Sequence, residues 1–194
     1  YKMSNHQSST GKIIAPELET IGWLNSAEPI TLASLRGKVV LIHAFQMLCP
    51  GCVQHGIPQT KKIFEEFDPS KVAVLGLHTV FEHHAVMGRD ALEVFAYEYR
   101  LSFPIGIDKP NEHHVIPHTM MTYQMQGTPT TILIDKTGHL RMHKFGHVTD
   151  FVLGLSIGTL LAEVDDESEL ASLSQQQNQK NLQSGACGPD ECAV

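Results

Sequence analysis

The chain has no apolar run long enough to cross a bilayer, so a membrane-spanning helix is excluded from this reading. Basic residues are scarce: 14 Lys and Arg stand against 21 Asp and Glu, a formal net charge of −7. That balance leaves no electrostatic footprint for nucleic acid, and neither nucleic acid nor membrane is expected as a partner. The first twelve residues, Tyr1 to Lys12, are polar and lack the apolar core of a signal peptide. The expectation is a cytoplasmic protein, or a periplasmic one if a leader precedes this stretch. No internal repeat is present, and 194 residues suit one domain with a tail. Cysteine is sparse as well. There are four, in two close pairs, Cys49 with Cys52 and Cys187 with Cys192. A reducing compartment disfavours structural disulfides, so such pairs point to redox chemistry or to metal.

What is present alternates between short apolar runs and amphipathic stretches. Val39 to Phe45 and Val72 to Leu77 read as buried strands. Ile57 to Phe67 reads as a helix with Ile57, Ile63, Phe64 and Phe67 facing inward, stopped at Asp68-Pro69. Asp90-Ala91-Leu92-Glu93 has the pattern of a capping box opening a helix to about Arg100. Phe103 to Ile107 reads as a short strand, and Pro117 suits the first turn of a helix to about Met125. Thr130 to Ile134 and Leu140 to Lys144 form a hairpin across Asp135-Lys136-Thr137-Gly138, and Asp150 caps a last helix through Leu161. This order predicts an α/β protein with a central mixed sheet flanked by helices. From Ala162 the chain turns acidic and then rich in Gln, Ser and Asn, the composition of a solvated tail. The expected division is an extension over 1–14, a domain over 15–162 and a tail over 163–194.

Cys49-Pro50-Gly51-Cys52 follows a buried strand and opens a helix. A sulfur at a helix N-terminus meets unpaired N–H groups and the positive end of the dipole, which favour its thiolate. Cys49 is thus the expected nucleophile, and Cys52, one turn on, the residue that resolves a mixed disulfide. The alternative is half of a zinc site, which normally needs a second pair of ligands at finger-like spacing.

The chain from Ala15 to Leu161 resembles the thioredoxin superfamily, and within it the TlpA-like and AhpC/TSA-type redoxins. The matching pieces are Ala15-Pro16-Glu17-Leu18, Leu32-x-x-Leu35-Arg36-Gly37-Lys38-Val39-Val40, the Cys-Pro-Gly-Cys motif, Leu101 to Asp108, and Tyr123 to Asp135 through Gly127-Thr128-Pro129-Thr130-Thr131. The resemblance implies a thioredoxin-like fold with a redoxin-type insertion. It implies that Thr128-Pro129 is a cis-proline loop facing the dithiol, with backbone groups of Thr128 pairing to a bound peptide. It also places His43, six residues before Cys49, where thioredoxins carry a buried carboxylate that moves protons for the resolving cysteine. Read from sequence alone, His43 is equally a core histidine.

Leu48 stands where thioredoxins have a tryptophan, the dipeptide is Pro50-Gly51 rather than Gly-Pro, and Pro58 comes one residue later than the usual helix kink. His78 ends a strand whose C-terminal edge is expected to border the site.

The function expected is a thiol–disulfide oxidoreductase acting on protein or small-molecule disulfides. It needs a separate electron donor and no bound cofactor beyond the Cys49–Cys52 disulfide itself. The alternatives are a peroxidase with Cys49 as the peroxidatic thiol, and a metal-binding protein using the cysteine pairs and some of the twelve histidines. Peroxiredoxins place a threonine and a proline shortly before that cysteine, whereas here Phe45-Gln46-Met47-Leu48 fills the stretch. No metal ligand is assigned. Cys187 and Cys192 are expected to be an auxiliary dithiol. A flexible arm of about 25 residues spans roughly 25–30 Å, against a radius of gyration of about 15 Å for a compact domain. It therefore reaches the first pair in its own chain, or in a partner if the protein is a homodimer.

Overall fold

The computed structural model describes residues 13–163. Its centre is β2 (Val39–Phe45), a strand whose seven residues are all buried. A strand covered on both faces reads as an unbroken apolar run, which is how Val39 to Phe45 reads in the sequence. β3 (Val72–His78) pairs parallel on one side of β2, and β5 (Thr130–Ile134) pairs antiparallel on the other. β4 (Ile105–Asp108) continues the sheet parallel to β3, β1 (Thr20–Leu24) pairs antiparallel to β4, and β6 (Leu140–Phe145) pairs antiparallel to β5. The sheet is therefore mixed and six-stranded, in the order β1-β4-β3-β2-β5-β6.

Alternation along the strands divides the core into two layers. Val39, Leu41 and Phe45 of β2 and Val72 and Val74 of β3 face one layer. Cys52, Ile57 and Ile63 join it, with Leu92 of α2 (Arg89–Glu98) and Leu153 and Ile157 of α4 (Asp150–Ala162). Val40, Ile42, Leu77, Ile132 and Ile134 face the other, covered by Met120 of α3 (His118–Thr122) together with Tyr123 and Met125. α1 (Ile57–Glu66) lies with the first layer. The segment between β3 and α3, carrying α2 and β4, is the insertion expected of a redoxin: it adds β4 beside β3.

Several boundaries differ from the sequence reading. The capping box at Asp90 is not made. α2 starts at Arg89 behind Gly88, and the Glu93 carboxylate accepts from Arg89 Nε at 2.9 Å instead of reaching back to the backbone. α2 and α3 both end early for one reason. Arg100 and Gln124 adopt φ of 52° and 53°, and each turn closes in the Schellman pattern. Leu101 N–H donates to Ala96 O and Arg100 N–H to Tyr97 O; Met125 N–H donates to Met120 O and Gln124 N–H to Met121 O. The last helix is capped by Thr149, whose Oγ1 accepts from Val152 N–H at 3.4 Å, rather than by Asp150. Asp150 is the first helical residue and accepts from Gln59 Nε2 at 2.7 Å, tying α4 to α1. β1 was not anticipated, because Thr20 to Leu24 is short and follows no clean alternation. The expected extension over 1–14 and tail over 163–194 lie almost wholly outside the described residues.

Candidate functional site

Cys49 stands at the end of the turn that follows β2. Helical residues begin at Pro50, and Val53 N–H donates to Cys49 O at 3.1 Å, which makes Cys49 the N-cap. Pro50 is the first helical residue, where its missing N–H costs no hydrogen bond. Cys52 N–H donates to Cys49 Sγ at 3.3 Å, so the sulfur occupies the acceptor position that a serine or aspartate fills in an ordinary cap. Cys49 Sγ in turn donates to Thr128 O at 3.4 Å. The Thr128–Pro129 peptide bond is cis, and the proline ring borders Gly51 closely enough that a Cβ there would sit 3.4 Å from Pro129 Cδ. Both cysteines are free thiols; Cys49 is half-buried and Cys52 is fully buried. Burial, together with the hydrogen bond to Cys49, pushes the Cys52 thiol up to about 12.

The helix passes through a π-turn over Cys52–Gly56 before α1, with Ile57 N–H donating to Cys52 O. Pro58 follows at once. It has no N–H to offer Gln54, and the wider turn absorbs the mismatch. This is the local distortion that Pro58 foreshadowed.

His43 lies in β2 on the face shared with Val39, Leu41 and Phe45, the layer that also holds Cys52. It is buried, its ring is stacked on Phe45, and its Nε2 has no hydrogen-bond partner. Burial lowers it to about 4, so the imidazole is neutral. Gly56, one turn after Cys52, lies directly over the ring: a Cβ there would fall 2.1 Å from His43 Cε1.

Leu48 projects into solvent beside the nucleophile, 58% exposed. His78 pairs across the sheet with Phe45, and its ring lies 5.4 Å from that of Phe45. It faces a cavity whose lining contains neither cysteine. Cys187 and Cys192 lie outside the described residues. Among the described residues, no group of three or more His, Cys, Asp or Glu side chains is placed to hold a metal ion. Met47, Met120 and Met125 are core residues and Met121 is exposed.

Two residues escaped the sequence reading. Gln46 is buried, its carbonyl accepts from Cys49 N–H at 3.2 Å, and its side chain accepts from Phe81 N–H and donates to Glu82. It holds the turn that presents Cys49, and no sequence signal marks it. Gly56 did carry one, a lone glycine within a helical pattern.

The model of the AhpC/TSA family matches residues 14–143. A crystal structure of a thioredoxin-like superfamily protein is 55% identical, covering 79% of this chain and 99% of that one, with a TM-score of 0.77. A thiol-disulfide isomerase from Corynebacterium glutamicum is 51% identical, covering 77% and 98%, with a TM-score of 0.74. Protein DipZ of Mycobacterium bovis is 38% identical over 136 residues, 68% of this chain but 18% of DipZ. The chain thus spans about a fifth of that curated relative's length.

Proposed function

The chain belongs to the AhpC/TSA family, and from that premise we propose that it is a thiol–disulfide oxidoreductase working through Cys49 and Cys52. The observation that carries the proposal is the inequality of the two sulfurs. Cys49 is accessible and receives a backbone N–H, whereas Cys52 is sealed in the core and held protonated. The names of the similar proteins, a thiol-disulfide isomerase among them, support the same reading.

In the proposed reaction the Cys49 thiolate attacks one sulfur of a substrate disulfide. The substrate S–S bond breaks, its other sulfur leaves as a thiolate, and a mixed disulfide forms. Cys52 then loses its proton and attacks Cys49 Sγ. This breaks the mixed disulfide, releases the second substrate thiol and leaves Cys49–Cys52 oxidised. The substrate gains two electrons and two protons, and a separate dithiol donor restores the pair. Thr128 O and the loop at Pro129 border the attacking sulfur, where an extended substrate segment would pair. His43 is proposed to accept the Cys52 proton: it is neutral, its Nε2 is free, and it lies in the same layer. Cys187 and Cys192 are proposed as a second dithiol that exchanges with the first.

The test is trapping. Cys52→Ser should accumulate mixed disulfides with a disulfide-bearing peptide, and Cys49→Ser should form none. In the wild type, iodoacetamide near neutral pH should label Cys49 first. Preferential labelling of Cys52 would overturn the assignment. His43→Phe should leave the first step intact and slow the release of the second thiol by roughly 10²–10⁴-fold, the usual range for a proton-transfer group.

A further inference from the structure

The sheet edge that carries the dithiol extends across two more strands. β2, β3 and β4 run parallel, and Phe45, His78 and Ile107 stand side by side in register. Beyond the ends of β3 and β4, against the 79–88 loop, the start of α2 and the loop over 109–117, lies a cavity of about 290 Å³. Open α/β sheets hold ligands in this position, outside the carboxyl ends of parallel strands. The volume is at the lower end of small-molecule sites.

Its body is apolar, formed in part by Met87, Ile107 and Val115. Its polar side chains are those of His78, His84, Arg89, Asp108, Asn111 and His114. His78 is buried, and its Nε2 has no partner. Ile116 N–H donates to His114 Nδ1 at 3.0 Å, so a neutral His114 carries its proton on Nε2 and presents a donor. Arg89 adds a guanidinium of which only Nε is engaged by Glu93. The acid of the lining, Asp108, has both oxygens committed, to Thr119 N–H at 2.9 Å and Met120 N–H at 3.1 Å. An apolar body rimmed by histidine, asparagine and arginine side chains, with its carboxylate already engaged by two backbone amides, is complementary to an anion with an apolar tail.

We propose that this cavity binds a carboxylate carried on a small apolar body, whether a free organic acid or the apolar C-terminal residue of a peptide. The carboxylate accepts from His78 Nε2–H and from the donors at the rim, and the tail packs on Met87, Ile107 and Val115. A trapped water would satisfy the same nitrogen, and the experiment separates the two. The inference does not rest on the thiol chemistry, which the trapping assay reports separately.

The histidine imidazole signals of the full-length reduced protein are followed by NMR through millimolar titrations. The probes are 3-phenylpropanoate, 3-phenylpropanamide, and acetyl-Gly-Gly-Leu with a free or an amidated C-terminus. The expected result is a saturable shift of the His78 signal by a free carboxylate, with the matched amide binding at least about tenfold more weakly, the scale of one charge-assisted hydrogen bond. A response confined to 3-phenylpropanoate assigns a free acid; a stronger response to the free peptide assigns a chain terminus. Val115→Trp, at an exposed position on the rim, and His78→Phe should each weaken binding about tenfold. A His78 signal that answers no probe, equal binding of acid and amide, or unchanged binding in both variants would overturn the proposal and leave water as the occupant.

Discussion

Gly56 and His43 fit each other as a small residue and the ring it makes room for. With a Cβ position 2.1 Å from His43 Cε1, even alanine at 56 must displace a buried imidazole. Overpacking of this kind costs about 1–3 kcal/mol. Gly56→Ala should therefore lower the unfolding free energy by that amount, read as a lower urea midpoint at an unchanged slope, although alanine is the better helix former. Adding His43→Ser should recover most of the loss, so the double variant should be more stable than the sum of the singles predicts. Additive losses would mean that the two side chains do not meet. At this scale the sequence was half legible. The cysteine pair announces itself by type and spacing, whereas Pro129 and His43 stand out only through the family resemblance, since from the residues alone they read as a turn and as a core histidine. Gln46 does neither, since its work depends on which backbone groups the turn brings within reach, and spacing does not encode that.

Among the elements, strands buried on both faces and long amphipathic helices were readable, whereas helix ends were not. α3 shows why. It spans only His118–Thr122, too short to be stable alone, and its first amides are satisfied from another element. Asp108, at the end of β4, accepts from Thr119 and Met120. The cap lies ten residues before the helix and on a different element, where no local pattern finds it. Burial raises the Asp108 carboxyl above its usual range, which the two amides only partly offset. Asp108→Asn keeps the shape but replaces one acceptor oxygen with a donor facing an N–H. A cost of about 1–3 kcal/mol is expected, with faster amide exchange confined at first to Thr119 and Met120. Unchanged exchange at those two amides would show that the helix does not depend on this cap.

For the molecule as a whole, the sheet order follows from two rules that the sequence satisfies: parallel neighbours around a crossover helix, and a hairpin closing the other side. The edge strand β1 escaped because an exposed edge needs no strong pattern. The same sheet buries two histidines, His43 and His78, each lowered to about 4 by loss of hydration. Both are neutral in the fold, while in the unfolded chain each titrates near 6.5. Between those values the unfolded state binds more protons, so stability falls as pH drops from about 6.5 towards 4. A shift of this size corresponds to at most about 3 kcal/mol per group, a large share of an ordinary folding free energy. The carboxylates do not mimic this window. Asp135, held at about 2 by hydrogen bonds from Thr137, His139 and Arg141 that outweigh its burial, loses its contribution only below the ordinary carboxylate range. Asp108, raised by burial, acts in the opposite direction. Urea unfolding of the wild type should therefore lose stability steeply between pH 6.5 and 4. His43→Phe and His78→Phe should each flatten that slope by about one proton, and the double variant by about two. If the slope of the double variant matches that of the wild type, the acid sensitivity resides in other groups and the two imidazoles are not the buried neutral bases that their surroundings require.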